Sequence, residues 1–193
     1  MSTKNIMKCL LTATPEQYNE GLLAYETYHA RLKTIAEVND IPFNRVVGAF
    51  SALSPGNKLE MNFADLDKLI NGVKKNKEAS EIKLHCYSTC TQRGYDFLTG
   101  WEPEFKTSRK GMKTLNFYHN ILSPESPDYV TIDRHAIEVW YGKEVDDSAR
   151  KKIFDSPRKY NEIVEDFKAI AKKTGLLPQQ VQAITWYTWR SNS

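Results

Sequence analysis

The sequence predicts an all-α protein, and three observations predict it. Apolar residues recur every three or four positions along most of the chain, which is the period of an amphipathic helix. No segment alternates apolar and polar residues over the length of a strand. Proline, glycine and asparagine punctuate the periodic segments, and no run of Gly, Ser or Pro is long enough for an interdomain linker.

Thr14-Pro15 reads as an N-cap followed by a first-turn proline. Beyond it Tyr18, Leu22, Tyr25, Tyr28, Leu32, Ile35 and Val38 mark one long helix ending near "VNDIP". "FNRVVGAFSAL" predicts a largely buried second helix, stopped by Ser54-Pro55-Gly56-Asn57. "FADLDKLINGV" makes a third. The charged stretch "KKNKEASEIK" leads into a helix around "IKLHCYSTC", and "TQRGYDFLTG" is a short helix closed by Gly100. After a break at Arg109-Lys110-Gly111, a helix carries Leu115, Phe117, Tyr118, Ile121 and Leu122. "SPESPDY" is loop, "VTI" is at most a very short strand, and "DRHAIEVWYG" is helix. "PRKYNEIVEDFKAIAKKTG" is strongly amphipathic, with Ile163, Phe167, Ile170 and Ala171 on one face and Gly175 as the stop. "LPQQVQAITWYTWR" is the last helix. The pattern yields about nine helices.

The 193 residues suit one domain, or two small lobes around one cleft. The composition is that of an ordinary globular protein, without repeats or low-complexity tracts. No apolar run approaches the roughly 20 residues of a membrane span. The apolar patch in "MSTKNIMKCLLTATPEQ" is too short and interrupted for a signal peptide, so a cytoplasmic location is expected. Three cysteines, Cys9, Cys86 and Cys90, form no disulfide framework and no metal-ligand spacing; reduced thiols and no metal are expected. The net charge of +3 does not by itself predict a polyanionic partner, but basic residues cluster at 74–77, 108–113, 150–152 and 172–173. Each cluster is consistent with a solvated surface, and together they make a phosphate-binding face plausible.

Two local features carry chemistry. In "SRKGMKT" a basic turn containing Gly111 opens a helix whose first turn bears Lys113. In "VTIDRHA" three strand-formers run into Asp133 at the start of the next helix. One short helix and one loop separate them, so the two helix starts can lie side by side. Taken singly, Asp133 is a favoured N-cap, worth about 1 kcal/mol, and Lys113 is a surface lysine. Taken together at this spacing, they form a candidate site. His135 reads as a base or as a structural hydrogen-bonding group. Trp186, Tyr187 and Trp189 are too many large aromatics for one helix face, so some pack in the core and one can line a pocket. Ser54, Asn57 and Lys58 read equally as DNA contacts or as an ordinary turn. Arg190 reads as a phosphate contact or a solvated side chain.

These motifs resemble the helix-hairpin-helix superfamily of base-excision DNA glycosylases. That family has a hairpin of the form "GVGxKT" and a following "VxVDTH" that presents an aspartate at a helix start. Gly111 matches the second hairpin glycine, Lys113-Thr114 match "KT", and Ile132-Asp133-Arg134-His135 match "VDTH". "VVGAFSALSPGNKLEMN" is similar to the family's "LLSAQ…N" segment, so the resemblance runs in order over roughly residues 40–140. Arg109 stands where the first hairpin glycine would, and the four-cysteine iron–sulfur loop of some members is absent.

The resemblance implies a single glycosylase-like helical domain over 1–193, with its hairpin motif at about 103–122, acting as a monomer on DNA. It implies Lys113 as the Schiff-base nucleophile and Asp133 as its carboxylate. Arg109, Lys110, Gly111 and Thr114 would hold DNA phosphates at the hairpin, where the family also leaves room for a monovalent cation; no other cofactor is implied. His135, Trp186 and Trp189 would line a pocket for a flipped nucleotide. A neutral amine is the nucleophile, and the positive end of a helix dipole disfavours an ammonium. The carboxylate would stabilise oxocarbenium-like charge on the sugar. The C-terminal third is more similar to the end of small phage-encoded proteins. Phage enzymes of the same superfamily transfer amines onto activated thymine in DNA, which is the alternative reading. A non-catalytic hairpin that binds DNA is a further one.

Overall fold

Thr14 and Pro15 start the longest helix as the sequence predicts. In the computed structural model, Thr14 Oγ1 accepts the Gln17 N–H (3.2 Å) and Gln17 Oε1 accepts the Thr14 N–H (2.9 Å). This reciprocal capping box satisfies two N–H groups that a helix start leaves open. The structure describes residues 2–100 and 111–191, so Arg109, Lys110 and the rest of the predicted hairpin motif before Gly111 lie outside the described residues.

The elements are α1 (Ser2–Leu11), α2 (Pro15–Asn39), α3 (Phe43–Leu53), α4 (Leu59–Lys74), a 3-10 turn (Ala79–Glu81), α5 (Ser88–Thr99), α6 (Met112–Leu122), α7 (Arg134–Tyr141), α8 (Asp147–Phe154), α9 (Pro157–Thr174) and α10 (Pro178–Ser191). Among the described residues there is no strand, so the chain is all-α. No described helix is long and apolar enough to cross a membrane.

Three elements differ from the sequence reading. Residues 2–11 form a helix, with Ile6, Cys9 and Leu10 as its buried face. Residues 147–154 form α8, which buries only Ile153 and therefore shows no apolar period. Its start is set by Asp146, whose carboxylate accepts the Ala149 N–H at 2.9 Å. The two helices expected over "IKLHCYSTC" and "TQRGYDFLTG" are one helix, α5, preceded by non-helical chain.

The chain divides into two compact units, one of residues 1–29 and 106–193, the other of residues 30–105. The second unit is built on α3, α4 and α5, with Val46, Val47, Phe50, Leu53, Leu66 and Leu69 completely or almost completely buried. Gly48 allows α3 to meet Phe97 of α5, since a Cβ there would lie 2.3 Å from the ring. Asp65 explains why residues 82–87 do not join α5. Its buried carboxylate accepts the His85 N–H (3.0 Å), the Cys86 N–H (3.2 Å), His85 Nδ1 (2.8 Å) and Asn57 Nδ2 (3.0 Å). A helix cannot keep N–H groups that a distant carboxylate has taken.

Burial alone would push the Asp65 carboxyl upward, but the His85, Asn57 and Cys86 hydrogen bonds outweigh it and hold it below the usual carboxylate range. A depressed carboxylate stabilises the fold above its unfolded pKa and ceases to do so as pH falls through its folded value. The urea midpoint of this unit is therefore expected to decline as the solution is acidified below the ordinary aspartate range. Asp65→Asn is expected to be less stable at neutral pH and to lose that part of the acid dependence. An unchanged pH profile in the variant would show that Asp65 is not the group responsible.

The first unit has its own apolar cluster. Ile6 of α1, Ile137 and Val139 of α7, Tyr160, Ile163 and Phe167 of α9, and Val181 and Ile184 of α10 are all essentially inaccessible. Gly21 of α2 lies directly against the α10 backbone, where a Cβ would fall 2.4 Å from Ile184 Cα.

Candidate functional site

Val130, Thr131 and Ile132 favour extended backbone, and here they lie outside any helix or strand. All three are buried, so their polar backbone groups need other partners. Side chains supply them. Tyr160 of α9 accepts the Ile132 N–H at 3.0 Å. Asn116 of α6 donates to the Val130 carbonyl at 2.9 Å and to the Tyr160 hydroxyl at 3.1 Å. One turn further along α6, the Asn120 amide is oriented so that its nitrogen donates to the Tyr129 carbonyl (2.8 Å). Its oxygen then accepts Thr131 N–H (3.2 Å) and Oγ1 (2.9 Å). The helix bearing Lys113 and the segment delivering Asp133 are thus laced together through the half-buried Asn116 and the buried Asn120.

Asp133 is the N-cap of α7. Its Oδ1 accepts the Ala136 N–H at 2.8 Å, and its Oδ2 accepts the indole N–H of Trp186 at 3.0 Å. The side chain is therefore both a cap and one end of a tertiary contact, and the residue remains half-buried. His135 meets the edge of the Trp186 ring, with centroids 5.8 Å apart. The Arg190 guanidinium lies over the same ring at 4.8 Å.

A second carboxylate lies deeper. Glu138 is almost fully buried on α7, amid Ala136, Ile137 and Val139. Its Oε1 accepts Arg150 Nη1 at 2.9 Å, and its Oε2 accepts the Trp189 indole N–H at 3.1 Å. His135 Nδ1 lies 3.3 Å from Oε2, off the line of a hydrogen bond. Arg134 Nη2 stands 3.2 Å from His135 Nε2. A guanidinium can only donate, so in that contact Nε2 accepts and the ring proton sits on Nδ1, facing Glu138. Trp186 and Trp189 thus tie α10 to two carboxylates of α7.

Lys113 occupies the first turn of α6 and is half-buried; Gly111 is the N-cap and Thr114 is buried. Lys113 and Asp133 are not an ion pair: no contact of 4.0 Å or less joins them. The structure brings together Asp133, His135 and Trp186, and adds Trp189 through Glu138. In the second unit, Ser54 Oγ bonds its own helix at the Ser51 carbonyl (2.9 Å), Asn57 is held by Asp65, and Lys58 is the exposed N-cap of α4.

Other reactive groups in the first unit are muted by burial. The Cys9 thiol is pushed up to about 11, and burial raises the Tyr25 and Tyr160 hydroxyls as well. Two members of the 150–152 basic cluster are engaged internally, Arg150 on Glu138 and Asp147 and Lys151 on Asp155.

Sequence reasoning missed Glu138, Asn116, Asn120 and Tyr160. Glu138 had one legible signal, a charged residue inside the otherwise apolar face of a short helix. The two asparagines lie on one α6 face, but nothing local tells which backbone they serve.

No curated protein and no solved structure matches the chain. The model of one family, described as a family of unknown function (DUF7178), matches residues 1–193. With Asp133, His135, Glu138 and two indoles as its candidate site, this chain belongs to the DUF7178 family.

Proposed function

We propose that the protein is a DNA-acting enzyme of the helix-hairpin-helix glycosylase kind. It would work at C1′ of a flipped nucleotide through Lys113 and Asp133. One observation carries the proposal: Asn116 and Asn120 lace the Lys113 helix to the segment that ends in Asp133. A buried segment outside helix and strand must find partners for its backbone groups. In this reading its purpose is to hold the Asp133 carboxylate at the start of α7, with one oxygen locked into a cap and the other oriented by an indole.

In this mechanism the neutral amine of Lys113 forms a bond to C1′. The bond from C1′ to the base breaks, and its electron pair leaves with the base, which takes up a proton. The ammonium so formed gives one of its two protons to Asp133; the nitrogen lone pair then expels O4′, which takes that proton as the ring opens, leaving a protonated Schiff base. Asp133 also faces the positive charge that builds on the sugar. DNA as the partner belongs to the same proposal.

Borohydride trapping on oligonucleotides carrying a panel of damaged and modified bases tests it. A covalent adduct is expected with wild type and not with Lys113→Gln. Asp133→Asn keeps an oxygen for the cap and is expected to fold, while losing adduct formation by about a hundredfold or more. If no substrate gives an adduct and Lys113→Gln behaves as wild type, the Schiff-base mechanism is wrong. Nucleoside mass spectrometry separates the alternative, because amine transfer leaves a heavier nucleoside rather than a free base.

A further inference from the structure

The second unit carries charge that the candidate site does not use. Helix α4 ends in a reversal in which Asn76 takes a left-handed conformation (φ 55°). The Lys77 N–H returns to the Gly72 carbonyl at 3.1 Å and the Asn76 N–H to the Val73 carbonyl at 2.9 Å. This is the Schellman closure, with asparagine where glycine is commonest. The chain then makes the 3-10 turn, whose capping box uses Glu81 Oε2 on the Glu78 N–H at 2.8 Å. Ile82 then packs back onto Gly72, where a Cβ would meet it at 2.4 Å. The reversal therefore brings Lys83 back alongside α4.

The result is a hollow of about 380 Å³ lined by Lys68, Lys75, Lys77 and Lys83, with Asn71 and Glu81 among them. Glu81 is the one acid of the lining, and an oxygen of its carboxylate is already occupied by the capping box. None of the four lysines forms an ion pair among the described residues. All four are exposed, so an incoming anion would not have to displace a buried partner. Four ammonium groups repel one another around one concavity, and an anion with several oxygens relieves that repulsion. Ammonium groups act as point charges with rotatable donors, which suits the non-esterified oxygens of phosphates.

We propose that this hollow binds phosphate groups of a nucleic-acid backbone. The proposal deepens the DNA reading above by adding a backbone contact in the unit that does not contain Asp133. It rests on that reading only for the identity of the polyanion.

The test is equilibrium binding of the full chain to duplex and single-stranded oligonucleotides across a salt series. The triple variant Lys75→Gln/Lys77→Gln/Lys83→Gln is expected to bind about tenfold or more weakly near 100 mM salt. Its slope of log affinity against log salt should be shallower by about two units. A control variant, Lys4→Gln/Lys8→Gln/Lys173→Gln, removes equal charge from a groove in the other unit whose floor is Met7, Leu11 and Ile170. Equal losses in both triples would mean that net charge alone acts, and would overturn the site. So would an unchanged slope in the first triple. A third arm titrates inorganic phosphate and follows the amide resonances of residues 68–83. Saturation by free phosphate, with nucleic-acid binding unaffected by the triple variant, would overturn the backbone as its source. Thermal melts confirm that these exposed replacements fold. Adduct formation through Lys113 is read separately, so loss of one activity does not imply loss of the other.

Discussion

Glu138→Ala is expected to destabilise the first unit by about 3 kcal/mol, the low end for breaking a buried ion pair. Alanine removes the acceptor of Arg150 Nη1 and of the Trp189 indole. Arg150 retains Asp147 at 2.6 Å, in an exposed contact, which limits the loss on that side. The Trp189 indole loses its hydrogen bond to Glu138, which adds about 1 kcal/mol. Glu138→Gln is expected to cost less, because its carbonyl oxygen can still accept one of these donors while its amide must turn from Arg150. Trp189→Phe removes a single donor and leaves the Glu138–Arg150 pair, so about 1 kcal/mol is expected. Urea unfolding reads all three. A Glu138→Ala loss below about 1 kcal/mol would place the cluster with weak, solvent-screened pairs and contradict its burial.

Gly21→Ala is expected to be destabilising by about 2 kcal/mol, although alanine is the better helix former. Propensity alone would favour alanine by about 1 kcal/mol in a helix interior. Against that, the new Cβ would lie 2.4 Å from both the Cα and the N of Ile184. These are backbone atoms, so no rotamer change relieves the clash and α10 itself must shift. Overpacking of this kind costs about 1–3 kcal/mol, and a rigid backbone neighbour puts it at the top of that range or above. The consequence reaches the site, because α10 carries Trp186 and Trp189. Their indole N–H resonances are expected to move in Gly21→Ala along with the fall in the urea midpoint. A variant as stable as wild type with unmoved indole resonances would show that α2 and α10 do not approach as closely as described.

Much of the helical order was legible because it is locally encoded. The Thr14-Pro15 start of α2 and the Gly100 and Gly175 stops are side-chain and backbone events within a few residues. Asp133 as a cap belongs to the same class. Helix α1 has its apolar spacing in Ile6, Cys9 and Leu10, but three apolar contacts over ten residues are too few to mark a helix by period. Helix α8 had almost no apolar period to show. The non-helical course of residues 82–87 was not legible, because the carboxylate that takes its N–H groups is Asp65, on another helix.

The sequence by itself determined the all-α class, most helix ends, and the placement of Lys113 and Asp133 at the starts of two successive helices. Those features follow from periodicity and capping, whose range is a few residues. Tertiary structure decided what surrounds Asp133. It chose Trp186 as the donor to its free oxygen, buried Glu138 beside His135, and used Asn116, Asn120 and Tyr160 as the partners of a segment outside helix and strand. The physical reason is that a buried polar group must be satisfied by whatever donor or acceptor packing brings near. That partner lies on another helix, at a sequence distance no local pattern encodes.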